Sequence, residues 1–146
     1  MTEVQRAVAL YLLVDRHGRV LLQERDSEAP RYADQWSVPG GGIEAGESPL
    51  QAVHRELTEE TEVVLPDGEL VAWRAERREV PGLGLVDYHL FTAAVELTDA
   101  DITCHEGRQI VFVGPERFAT LDLTGSATEI LENFVRSERY ARLVGR

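Results

Sequence analysis

The chain has one cysteine, Cys104, in 146 residues. A single thiol excludes an internal disulfide, so the fold must rest on a hydrophobic core, and the expected compartment is the reducing cytoplasm. Basic residues are few beside acidic ones, 15 against 26, for a formal net charge of −11. That balance argues against a broad electrostatic grip on a nucleic acid polymer or an anionic membrane. It leaves room for a nucleotide, because bound cations can invert the local field. The apolar run at residues 7–14 is far too short to span a bilayer, and it lacks the basic start and small-residue cleavage site of a signal peptide. Gly40-Gly41-Gly42 lacks the Gly-Lys-Ser/Thr of a P-loop, and His17, His54, His89 and His105 show no metal-ligand spacing. There are no internal repeats, no low-complexity tract and no linker long enough to divide the chain, so residues 1–146 read as one domain.

What is present is an ordinary globular composition, 43% hydrophobic and 28% charged, with enough chain for a core. Residues 4–14 read as a buried strand, 15–18 as a turn, and 19–25 as a second strand with Val20 and Leu22 on one face. Residues 27–34 are polar, contain Pro30, and predict a mobile loop. Residues 36–38 form a short strand leading into a glycine loop. Two extended runs, 69–80 and 85–97, fit an antiparallel pair around Pro81-Gly82-Leu83-Gly84. A loop at 98–107 precedes a strand at 109–113, and Pro115 opens a short helical turn through Ala119. Ala127, Ile130, Leu131 and Phe134 mark an amphipathic C-terminal helix reaching to about Arg139. Strands broken by two well-separated helices predict a mixed sheet between helices, an α/β/α sandwich.

Residues 40–63, GGGIEAGESPLQAVHRELTEETEV, carry the chemistry. Ser48 suits a helix N-cap and Pro49 the first helical position. Leu50, Val53 and Leu57 recur at helical spacing and define the face expected to pack on the core. Glu56, Glu59 and Glu60 lie at i, i+3 and i+4, on one arc beside that stripe. Like charges so placed cost a helix about 0.2–0.5 kcal/mol per pair, and only Arg55 offsets them. A Glu-rich helix is ordinarily a solvated face. Carboxylates bordering the buried stripe, with Glu47 delivered to the same side by the glycine loop, instead point to a hard divalent cation held by oxygen ligands.

The pattern G-x5-E-x7-R-E-U-x-E-E-x-G-U, with U aliphatic, is the signature box of the Nudix hydrolases, and this stretch resembles it. Gly41, Glu47, Arg55, Glu56, Leu57, Glu59, Glu60 and Val63 match, and Trp36-Ser37-Val38-Pro39-Gly40 is similar to the usual lead-in. Glu62 departs, standing where the family has Gly; it implies either a left-handed residue or a differently ended helix. The resemblance implies the Nudix fold over nearly the whole chain. It also implies hydrolysis, with Mg²⁺ or Mn²⁺, of a nucleoside diphosphate linked to some group X. An oxidised or ordinary nucleoside triphosphate is the first expectation and a sugar nucleotide the next.

The same resemblance implies roles for particular residues. Glu56 and Glu60 are the expected primary metal ligands, Glu59 a bridging ligand or the base, and the Gly40 carbonyl a further ligand. Arg55 is expected to pair with Glu47 or Glu59 and hold the cluster in shape, with Gly41 and Glu47 as structural members. Glu106, before the strand at 109–113, is a second candidate base or ligand, and Arg25 a candidate phosphate contact. Arg74, Arg77 and Arg78 could face an anionic substrate, though alternation sends Arg77 and Arg78 to opposite faces. Trp36, Trp73, Tyr88 and Phe91 could stack on a base, but aromatics in strands are usually core. The alternative from another class is a nucleotide- or ADP-ribose-sensing module without turnover. A homodimer is compatible with the chain, though no particular residue points to one.

Overall fold

β1 (Val4–Val14) is apolar at position after position, and the computed structural model, which describes residues 4–145, shows the reason. Its even positions Val8, Leu10, Leu12 and Val14 lie in one core cluster with Ala127, Ile130, Leu131 and Phe134 of α2 (Gly125–Val135). Its odd positions Ala9, Tyr11 and Leu13 lie in another, with Ala52, Val53 and Leu57 of α1 (Pro49–Thr61). A strand covered on both faces has no solvated side to make polar. The chain is therefore a sheet sandwiched between helices, with β1 at its centre.

The sheet has seven strands of mixed direction. β1 and β2 (Val20–Glu24) share one antiparallel pair, Val14 with Val20, and then part. Residues 36–42 fill the fork: β3 (Trp36–Ser37) pairs with β2, and β4 (Gly40–Gly42) pairs with β1. On the other side of β1 runs β6 (Gly84–Ala94), parallel to it, with β5 (Val71–Val80) antiparallel to β6, as the two extended runs predict. β7 (Gln109–Val113) pairs with β2. The fork opens the sheet beside its own centre, and the candidate site lies there.

Three expectations are corrected. The glycine loop is a strand: at Gly40, φ +137°, an added Cβ would lie 2.2 Å from the Ala9 carbonyl oxygen, so only glycine lets β4 approach β1 this closely. Leu50 stays 46% exposed, because the buried arc of α1 is centred near Val53 and Glu60 and leaves the first turn at its margin. The C-terminal helix is two. Its break is at Ser137, whose hydroxyl donates to the Phe134 carbonyl at 2.6 Å and accepts from the Tyr140 amide at 3.2 Å, capping α3 (Glu138–Val144). The Tyr140 hydroxyl then donates to the Gly18 carbonyl at 2.5 Å, tying α3 to the β1–β2 turn.

α1 begins as the sequence predicts, with a reciprocal capping box between Ser48 and Gln51 and Pro49 in the first turn. It ends at Glu62 in the left-handed region, φ 65°. A side chain there meets the following carbonyl, a strain that glycine escapes. Glu62→Gly is expected to stabilise the protein by about 0.5–1 kcal/mol, a rise in Tm of about 1–4 °C, readable by calorimetry. A fall in Tm would mean that the Glu62 side-chain contact with His105, at 2.5 Å, outweighs the backbone strain.

Candidate active site

Arg55 is the hub of the acidic helix. Its Nε and Nη2 donate to the two oxygens of Glu47 at 2.7 and 2.8 Å, and Nη2 also donates to the Gly42 carbonyl at 2.9 Å. Nη1 reaches Glu56 Oε1 at 3.0 Å and Glu59 Oε2 at 3.2 Å. The expected choice between Glu47 and Glu59 resolves to both, with the two-pronged bond given to Glu47. That bond holds the Glu47 carboxyl down, to about 2. One guanidinium thus ties the turn before α1, the end of β4 and the outer face of the helix into one rigid piece.

Glu60 lies inside the buried arc, 2% exposed. Oε1 accepts from the Tyr11 hydroxyl at 2.8 Å, and Oε2 is buried without a hydrogen-bond partner. Burial, then the neighbouring Glu106 carboxylate, push its pKa up to about 9. Glu56 is also raised, first by burial, with Arg55 opposing. Burial and the charge of Glu60 hold the Tyr11 phenol above its ordinary range, so it stays a donor. Carboxylate oxygens of Glu56, Glu60 and Glu106 lie within 4.8 Å of one another. Three converging oxygens, one of them buried and orphaned, are the donor set that a hard divalent cation takes.

Glu106 arrives from a distant loop by a definite route. The His105 amide donates to the Glu60 carbonyl at 2.9 Å and the Thr103 amide to the Thr61 carbonyl at 3.1 Å, filling acceptors that a helix end leaves open. Gln23 Nε2 donates to the Glu106 carbonyl at 2.9 Å, holding the loop from the β2 side. Glu59 lies apart from the three-carboxylate cluster, 59% exposed on the Arg55 side. At Gly41 a Cβ would fall 2.6 Å from Glu56 Oε1, so its glycine is what admits that carboxylate beside β4. Tyr11 and Gln23 were not singled out from sequence. A lone phenol in an aliphatic strand, whose hydroxyl needs a partner when buried, was the available sign for Tyr11.

Two depressions adjoin at Gln23 and Arg25. One, about 250 Å³, has Glu106 in its wall; the other, about 160 Å³, runs along the fork past Gly40 and Gly41. Arg25 therefore stands between the carboxylate cluster and the fork, its Nε donating to the Arg31 carbonyl at 2.8 Å. Arg74, Arg77 and Arg78 are engaged with Glu76, Asp87, and Glu76 with Glu129, respectively, and none lines these two depressions. Of the aromatics, Tyr88 lines the fork, whereas Phe91, Trp36 and Trp73 belong to or pack on the core.

Glu60 generates a stability prediction. Its folded pKa, about 9, lies above the ordinary 4.5, so folding binds an extra proton between those values. Its contribution is whole below pH about 4.5 and is lost as pH rises toward 9. With chelator present, Tm should therefore fall across this window, and Glu60→Gln should flatten the fall and melt higher than the parent at pH 8. Millimolar Mg²⁺ should raise the parent's Tm at pH 8 and move the variant's much less. Equal Mg²⁺ shifts in the two proteins would remove Glu60 from the cation site.

Comparison with known proteins agrees with this geometry. The NUDIX domain family model matches residues 3–134. The CTP pyrophosphohydrolase of Escherichia coli (strain K12) is 32% identical over 123 residues, 84% of this chain and 87% of that protein. The RNA pyrophosphohydrolase of Acidiphilium cryptum (strain JF-5) is 43% identical over 63 residues, only 42% of this chain and 38% of that protein. Among solved structures, the MutT protein from Methanosarcina mazei Go1 superposes with a TM-score of 0.73 at 20% identity, covering 97% of this chain and 96% of that one. The E. coli ORF135 protein does so at 0.67 and 28%, covering 92% and 94%. With the family model spanning most of its length and a relative 32% identical over most of both chains, the chain belongs to the Nudix hydrolase family.

Proposed function

We infer that this protein is a divalent-cation-dependent pyrophosphohydrolase. It cleaves the phosphoanhydride of a nucleoside diphosphate linked to X, with a nucleoside triphosphate as first choice, and releases a nucleoside monophosphate. The observation that carries this reading is the convergence of Glu56, Glu60 and Glu106, with one Glu60 oxygen buried and unpartnered and Arg25 lining the same depression as Glu106. The similarity to a CTP pyrophosphohydrolase supports the triphosphate over other substrates.

A phosphoanhydride is protected by its own negative charge, so catalysis is largely positioning and charge neutralisation. Mg²⁺ or Mn²⁺ bound by Glu56 and Glu60, with the Gly40 carbonyl as a further ligand, would neutralise phosphoryl oxygens and acidify water. Arg25 binds the substrate phosphates. Glu106 accepts the proton of the attacking water, Glu59 being the other candidate for that step. Arg55 is a positioning residue: it touches no substrate and holds Glu56 and Glu59 directly while Glu47 anchors its other side.

The test is release of phosphate, pyrophosphate and monophosphate from a panel assayed in Mg²⁺ and in Mn²⁺. The panel holds nucleoside triphosphates, oxidised deoxynucleotides, sugar nucleotides, ADP-ribose, dinucleoside polyphosphates and a 5′-triphosphorylated oligoribonucleotide. Cation-dependent cleavage of a nucleoside triphosphate is expected, with kcat reduced about a hundredfold or more in Glu60→Gln and Glu56→Gln. Arg55→Lys should lose about 10–100-fold with KM little changed, because an ammonium lacks the planar fork. Turnover that survives chelation, or survives in Glu60→Gln, would overturn the reading.

A further inference from the structure

The loop between β2 and β3 holds Tyr32 in the left-handed region, φ 54°. Its neighbour Asp34 is also left-handed, φ 64°, but an aspartate adopts that conformation more readily, and Asp34 is fixed by Arg108 at 2.5 Å. Tyr32 has no such compensation. The residue is 41% exposed and belongs to neither core cluster, and among the described residues its hydroxyl bonds to nothing. Only its backbone carbonyl is used, accepting from the Gln35 amide at 3.1 Å. A large aromatic held in strain, outside both core clusters and with its hydroxyl unbonded among the described residues, marks a group kept for something outside the fold.

Its position says what. Tyr32 lines the fork cleft together with Val8 and Leu10 from β1 and Val86 and Tyr88 from β6. The same cleft reaches Gly41, which lies against Glu56, and Arg25, which borders the Glu106 depression. On its other side Tyr32 borders a separate hollow with Pro81 and Glu129, so the residue is a free-standing wall between two spaces. A cleft that sets the aromatic rings of Tyr32 and Tyr88 and the aliphatic Val8, Leu10 and Val86 in one lining with the cationic Arg6, Arg25 and Arg31 suits a flat ring carried on a phosphate chain.

We propose that Tyr32 stacks on the nucleobase of the substrate and sets the enzyme's preference for nucleotides over base-free polyphosphates. This rests on the hydrolase reading above and adds the group that recognises the base. Stacking requires only a π face, so Tyr32 favours any nucleobase over none, without choosing among bases.

The experiment compares kcat/KM for the best nucleoside triphosphate with that for ribose 5-triphosphate, which keeps sugar and phosphates and lacks the base. Tyr32→Ala and Tyr32→Gly should lower the ratio of the two by about tenfold or more, mostly through KM, while Tyr32→Phe retains it. Glycine suits the left-handed backbone, so Tyr32→Gly should melt at or above the parent, which separates lost recognition from lost folding. A ratio unchanged in Tyr32→Gly, a loss in Tyr32→Phe equal to that in Tyr32→Ala, or a parent that shows no preference for the base would each overturn the proposal. A parent without turnover on either compound or on the wider panel would overturn the hydrolase reading, and this proposal with it. The parent's own activity tells the two failures apart.

Discussion

The structure turns on a carboxylate in the wrong place. Glu60 occupies the buried arc of α1 that Val53 and Leu57 also fill, and one of its oxygens has no partner. Taking an ionised carboxylate out of water without a full set of partners is costly, and a neighbouring carboxylate makes it costlier. Among the described residues no basic side chain bonds to Glu60. Arg55, the basic residue of the helix, is committed to Glu47, Glu59 and Glu56. Burial therefore raises the Glu60 pKa, and a cation at the site would offset that cost.

Holding such an unfavourable arrangement needs a stiff frame. The Ala52–Val53–Leu57 face is anchored on the odd-numbered side chains of β1, while the even-numbered ones are anchored on α2. The open carbonyls at the C-terminal end of α1 do two things at once. In accepting the amides of Thr103 and His105 they complete the helix end, and they draw Glu106 to Glu60. Residues 36–42 likewise close the fork between β1 and β2 and line the cleft that leads to the carboxylates. Ordinary backbone satisfaction is what builds the site.

Much of this was legible in the chain. Ser48 and Pro49 announced the start of α1, the apolar run at residues 7–14 announced a buried strand, and the spacing of Glu56 and Glu60 announced a shared side of the helix, from which Glu59 stands apart toward Arg55. Glu62 offered two alternatives at the helix exit, and the left-handed one is adopted. Leu50 misled because periodicity says which residues share a face but not how far the helix rolls on its sheet. The break at Ser137 was hidden because Phe134 and Tyr140 both pack on the same cluster, so the apolar pattern runs on through it. Glycines at 40–42 read as a loop because β pairing leaves no signature in residues without side chains.

Caps, faces and turn residues are decided within about four residues, by the rise and rotation of the backbone, and these the sequence by itself determined. The partners of Glu60 are another matter: Tyr11 is 49 positions away and Glu106 lies on a separate loop, and neither distance is encoded in any spacing. The exposure of Tyr32 beside the fork is of the same kind. Such encounters depend on how helices and strands settle against one another when the core closes, a sum over many weak contacts. Only the tertiary structure could decide which carboxylates meet.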